Sequence, residues 1–137
     1  MNGKLFEPDF SAVTLPEPRV CQTRAIEQLR SGFRAGHRQQ ILVMPTGSGK
    51  TITAMMLIYE SLKKGKRAIF VCDRTALINQ TSAVADSLGL TCHAIVQANH
   101  PRRDNSMPFQ IASIQTIQAR GYWPEGVTNV DQAQDAK

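Results

Sequence analysis

The stretch Met44-Pro45-Thr46-Gly47-Ser48-Gly49-Lys50-Thr51 decides how this chain is read. Its glycines let successive backbone N–H groups turn inward around phosphate oxygens. A helix starting at about Lys50 adds the partial positive charge of its amino end. Lys50 reaches the outer phosphates as a point charge. The hydroxyl of Thr51 suits the Mg²⁺ that accompanies ATP. The general phosphate-loop pattern is G-x-x-x-x-G-K-[ST], and here Met44 takes its first position. Such a loop sits between a strand and a helix. The short apolar run over residues 40–44 predicts the strand. Residues 50–64 predict the helix, with Ile52, Met55, Met56, Leu57, Ile58 and Leu62 on most of its sides, so it is expected to be largely buried.

On the amino-terminal side, Ala25, Ile26, Leu29 and Phe33 recur at helical spacing over residues 22–35, and Gly36 ends that helix. Residues 1–18, with Pro8, Pro16 and Pro18, read as an irregular lead-in. On the carboxyl-terminal side, residues 67–72 form a continuous apolar run expected to be a buried strand. A third helix is predicted over residues 75–88, with Leu77, Val84 and Leu88 inward and Gly89 as its cap. Residues 91–96 predict a strand, 97–108 a polar loop holding Arg102 and Arg103, and 109–113 a further strand. A short helix follows to residue 118 or 120, and residues 127–130 allow one last strand. Strands alternating with helices predict a parallel sheet covered on both faces, an α/β fold.

The chain has 137 residues, enough for one domain with a core, and 42% of them are hydrophobic. Lys and Arg number 16 against 11 Asp and Glu, a net charge of +5 that favours an anionic partner such as nucleic acid. Cys21, Cys72 and Cys92 are odd in number and lack C-x-x-C spacing, which argues against a disulfide framework or a zinc site and for buried thiols. The first ten residues have no apolar run and are not a secretory signal. No stretch approaches the ~18 apolar residues of a membrane span. The expected location is the cytoplasm. A GTPase is disfavoured because no N-K-x-D segment occurs.

Met-Pro-Thr-Gly-Ser-Gly-Lys-Thr resembles motif I of superfamily 2 DEAD/DEAH-type helicases, where the first glycine is commonly replaced. Three further segments follow in that family's order. Arg19-Val20-Cys21-Gln22-Thr23-Arg24-Ala25-Ile26 is similar to the segment carrying the Q motif, whose glutamine, here Gln22, reads the adenine edge. An amide gives and accepts one hydrogen bond each, which suits the N6/N7 edge of adenine. Residues 71–80 are similar to motif Ia, implying contact of Arg74 and Thr75 with a nucleic-acid backbone. A plain helix cap is the competing reading of Thr75, and the two roles are compatible. Ile111-Ala112-Ser113-Ile114-Gln115-Thr116-Ile117 resembles a later backbone-contact motif, in which Thr116 offers its hydroxyl to a phosphate. The run over residues 99–104 resembles the restriction-enzyme motor subunits.

The resemblance implies a RecA-like P-loop NTPase lobe over residues 19–137. It implies ATP and Mg²⁺ as cofactors, held by Gln22, Thr46, Gly47, Ser48, Gly49, Lys50 and Thr51, with Lys50 and Thr51 in the catalytic role. Its partner is DNA or RNA, bound with low sequence specificity. The family next requires an Asp-Glu box at the end of a strand. At that distance stands Asp131-Gln132-Ala133-Gln134. Asp131 suits the metal, but Gln132 is no base, since an amide does not accept a proton near neutral pH. An unrelated tail is the competing reading of these residues, because Thr128 and Asn129 are polar where a central strand is apolar. The family's second RecA-like lobe has no counterpart in this sequence, so negligible ATP hydrolysis by these residues alone is expected. The alternative function is a nucleotide- or nucleic-acid-binding module without catalysis.

Overall fold

Residues 68–72, all apolar, and 109–113, apolar but for Gln110 and Ser113, lie side by side in the computed structural model. It describes residues 8–97, 100–104 and 106–120. The elements are α1 (Val20–Arg34), α2 (Lys50–Lys63), β1 (Ala68–Cys72), α3 (Thr75–Ser87), β2 (His93–Val96), β3 (Phe109–Ser113) and α4 (Ile114–Arg120). Among the described residues the strands make one sheet, ordered β1-β3-β2. Both pairings are parallel, with Cys72 opposite Ser113 and Val96 opposite Ala112. Parallel neighbours require crossovers, and α3 and the 97–108 loop supply them.

Side chains alternate across the sheet with period two. Phe70, Cys72, Ile95, Phe109 and Ile111 face one way and join Met55 and Leu62 of α2 and Ile78 and Ala85 of α3. Ile69, Val96 and Ala112 face the other way and meet Ile117 of α4. The sheet is thus covered on both faces, and this is the α/β lobe expected from the alternating pattern. In α3 the inward residue is Ile78, fully buried, whereas Leu77 is exposed. Helix phase, set by the packing of Thr81, Ser82 and Ala85, moves the apolar stripe by one position.

The lead-in takes part in this core. Phe10, Val13 and Leu15 pack on the α2–α3 cluster, and Thr14 N–H donates to Leu88 O at 2.9 Å. Gly89 is left-handed, with φ +82°, and a Cβ there would run into the Ala12 carbonyl. A glycine is required for both reasons.

A polar chain joins α3, β2 and the 97–108 loop. His93 Nδ1–H donates to Leu90 O at 2.7 Å, so its Nε2 accepts from the Ser82 hydroxyl, also at 2.7 Å. Arg102 donates to Ser82 Oγ at 3.2 Å and makes two bonds to the Asp86 carboxylate, at 2.6 and 3.1 Å. Burial, followed by the nearby Arg102 guanidinium, pushes His93 below its ordinary pKa. The Arg102 hydrogen bond holds Asp86 below the usual carboxylate range. Burial also raises the Cys72 and Cys92 thiols, while Cys21 is exposed, contrary to the expectation of three buried thiols.

One expected strand is not formed. Residues 40–44 belong to no ladder, and Ile41 and Val43 are 93% and 87% exposed. A strand is made by its partners, and no described strand lies beside this run. Phe33, one of the apolar residues at helical spacing, is also exposed, because α1 lies against α2 and buries chiefly Gln22 and Ala25. Among the described residues no helix is long and apolar enough to cross a membrane.

Candidate nucleotide site

The loop of residues 45–49 closes on itself before the helix begins. Ser48 N–H donates to Pro45 O at 3.2 Å, and the Ser48 hydroxyl donates to the same oxygen. Gly47 and Gly49 are both left-handed, with φ +80° and +83°, a region that costs an L side chain about 1–2 kcal/mol. Met44, where the general pattern has glycine, turns into the body of the protein and is buried.

The amino end of α1 holds this loop from one side. Arg19 Nη1 donates to Gly47 O at 3.2 Å, the Cys21 thiol lies 3.9 Å from Ser48 O, and Gln22 Nε2 donates to Gly49 O at 3.1 Å. Three successive carbonyls therefore point at three side chains of one helix turn. In a trans peptide the next N–H points opposite to the carbonyl. The N–H groups of Gly49 and Lys50 accordingly face away from α1, where an anion would approach. They join the free N–H groups of the first turn of α2. Gly49 O is further held by the backbone N–H and hydroxyl of Thr53, both at 2.9 Å. A Cβ on Gly49 would lie 2.5 Å from Gln22 Nε2, so φ disfavours a side chain there and one that did fit would displace the Gln22 amide from the loop.

Gln22 is buried, not solvent-facing. Its Oε1 accepts from Arg19 N–H at 2.8 Å while Nε2 serves Gly49. One N–H and one lone pair of the amide are not used by these two bonds. Lys50 and Thr51 are exposed at the start of α2, and among the described residues neither side chain has a hydrogen-bond partner. Thr46 is exposed in the turn. This set fits a bound polyphosphate with its cation: inward N–H groups, one free ammonium and one free hydroxyl. Asp131 and Gln132 lie outside the described residues.

Arg74, Thr75 and Thr116 come together at one edge, because β1 and β3 end opposite each other and α3 and α4 start there. Gln115 Nε2 donates to Asp73 O at 2.6 Å, tying the two helix starts. Arg74 is exposed, and Thr75 Oγ1 accepts from Gln97 Nε2 at 3.1 Å. The roles of Arg19 and Cys21 are not legible in the sequence, where nothing in spacing distinguishes a side chain that touches a loop 28 positions away.

The family described as Type III restriction enzyme, res subunit, matches residues 15–136. The chain is similar to the Type I restriction enzyme EcoAI endonuclease subunit of Escherichia coli, 39% identical over 66 residues, which are 47% of this chain and 8% of that protein. It is similar to UvrABC system protein B of Symbiobacterium thermophilum, 44% identical over 54 residues, which are 39% of this chain and 8% of the relative. The same protein of Lactobacillus acidophilus is 34% identical over 71 residues, 52% of this chain and 10% of the relative. The matched stretches thus span about a tenth or less of these relatives' length. No solved structure gave a significant match.

Proposed function

The chain belongs to the family of the Type III restriction enzyme res subunit, and from that premise we propose that it is the ATP-binding lobe of an ATP-dependent nucleic-acid helicase or translocase. The observation that carries the reading is the grip of α1 on three successive loop carbonyls, Gly47, Ser48 and Gly49, which leaves amides on the opposite side for phosphate oxygens. In this reading Gly47, Ser48, Gly49 and the first turn of α2 cradle the phosphates, with Thr46 at the turn. Lys50 neutralises the outer phosphates. Thr51 contributes its hydroxyl to Mg²⁺, and Asp131, outside the described residues, is its proposed second partner. The free N–H and lone pair of Gln22 read the adenine edge. Arg74, Thr75 and Thr116 meet a nucleic-acid backbone at the strand ends. ATP, when bound with Mg²⁺, supplies the energy of phosphoryl transfer to such a motor.

The second reading, a binding module without catalysis, has one sequence feature in its favour. Gln132 stands where the related helicases carry a carboxylate base.

Titration of a fluorescent ATP analogue with Mg²⁺ tests the binding reading. Lys50→Ala is expected to weaken binding about tenfold or more, since a hydrogen bond to a charged group is worth ~1.5–3 kcal/mol. The circular dichroism spectrum should stay unchanged, because Lys50 is exposed. Equal affinities of variant and wild type would remove the nucleotide from this loop.

A further inference from the structure

The charge of the molecule is concentrated away from the residues discussed so far. α1 and α2 run parallel, with Gln22 against Gly49 at one end and Arg30 paired with Glu60 further along. Beyond that pair residues of both helices and of the segments that follow them line an open groove of about 1030 Å³. Arg30, Arg34 and Arg38 line it from one side, and Lys63, Lys64 and Lys66 from the other. Glu60 is the one carboxylate among its lining residues. Six cations against one acid leave an excess of five, and the formal net charge of the whole chain is +5. Outside the groove the other described residues carry eight cations against six acids, so most of the described positive excess lies in this groove.

Cations near helix carboxyl ends offset the helix dipole, and Arg34 and Lys63 occupy the last turns of α1 and α2. Arg38 and Lys66 lie past the helices, where the dipole gives no reason for them. Among the described residues no carboxylate pairs with Arg34, Arg38, Lys63, Lys64 or Lys66, although Lys63 rests over the Tyr59 ring at 4.6 Å. Five clustered cations without counter-charges repel one another, and an anion of extended shape relieves that repulsion. The groove also holds Phe33, which is 68% exposed. An aromatic face among basic side chains suits a base stacked beside its own phosphates, the arrangement by which single strands are held without sequence preference.

We propose that this groove, formed by the carboxyl-terminal halves of α1 and α2, binds the backbone of single-stranded nucleic acid, with Phe33 stacking on a base. It is separate from the edge bearing Arg74, Thr75 and Thr116. Lys66 lies just before β1 begins, Arg74 lies just after it ends, and a five-residue strand between them spans roughly 13–17 Å. Charge and the exposed ring argue for the groove independently of the motifs at that edge.

The test uses the 137-residue chain and a fluorescein-labelled single-stranded oligonucleotide of mixed sequence, titrated at several salt concentrations. The combined variant Arg34→Glu, Arg38→Glu, Lys64→Glu alters exposed positions only, so folding and ATP-analogue binding should persist. Its affinity for the oligonucleotide should fall by more than about tenfold, and the log–log salt slope should flatten by roughly 0.7 for each phosphate that is no longer neutralised. Phe33→Ala should weaken binding of the single strand by about tenfold and of a duplex much less. Wild-type protein that ignores the oligonucleotide at low salt overturns the proposal. So does a triple variant that binds as wild type while Arg74→Glu loses affinity, a result that places nucleic acid at the strand ends alone and leaves the proposed function standing. Indifference to Phe33→Ala, with polyglutamate displacing the oligonucleotide at equal charge concentration, overturns it in favour of an acidic protein surface.

Discussion

Gly49 carries three requirements at one position. Its φ is left-handed, its carbonyl accepts from Gln22 and Thr53, and the space a Cβ would occupy is taken by the Gln22 amide. Gly49→Ala is therefore expected to cost roughly 1–2 kcal/mol from backbone conformation, with a further loss as Gln22 is displaced. Nucleotide affinity should fall with it, because the loop's amides lose their fixed direction. Urea unfolding paired with ATP-analogue titration would check this, and a variant with wild-type stability and affinity would show that the loop adopts another conformation. Gly47→Ala has the same φ cost but meets no atom within 4 Å, so its loss should be the smaller of the two.

At the scale of elements, the junction of α3, β2 and the 97–108 loop hangs on His93. Burial keeps its folded pKa below the ordinary 6.5, so between those two values the unfolded chain holds more protons than the folded one. The stability contributed by neutral His93 is complete above pH 6.5, falls as pH drops through that value, and stops falling below the folded pKa. The charged groups facing the ring are Asp86 and Arg102. Asp86, lowered from 3.8, loses its contribution only as pH falls below about that value, so it adds nothing to a change between pH 7.5 and 5.5. The thermal midpoint should decline from pH 7.5 to 5.5. His93→Gln should start from a lower midpoint at pH 7.5 and decline less over that range. Parallel pH profiles in thermal melts would assign the proton uptake elsewhere.

Across the whole molecule, burial rather than hydrophobicity decides which apolar side chains stabilise the fold. Ile111 is fully buried in the central strand and Ile41 is almost wholly exposed. Ile111→Ala is expected to cost about 2–5 kcal/mol through lost burial and a cavity. Ile41→Ala should stay within about 0.5 kcal/mol. Chemical denaturation of the two variants measures the contrast, and a large effect at Ile41 would mean that residues 40–44 pack into the structure in solution. The same distinction separates the two candidate surfaces. The strand ends collect Arg74, Thr75 and Thr116, whereas the charge excess lies at the other end of β1, beside Lys66.

The α/β class, the glycine-rich turn over residues 45–49 and the helix that follows it were legible in the residues alone. These depend on local rules: glycine where φ must be positive, a lysine and a threonine at the first turn, and apolar runs of strand or helix length. Tertiary structure decided what those rules do not reach. Gln22 and Arg19 are polar residues at a helix start, and only the approach of α1 to the loop turns them into its clamp. Residues 40–44 have the composition of a strand, but a strand exists through hydrogen bonds to a neighbour, and spacing along the chain does not report neighbours. The net charge of +5 was readable at once. That most of the described excess gathers in one groove followed only from packing α1 beside α2, which brings residues 30–38 beside residues 63–66.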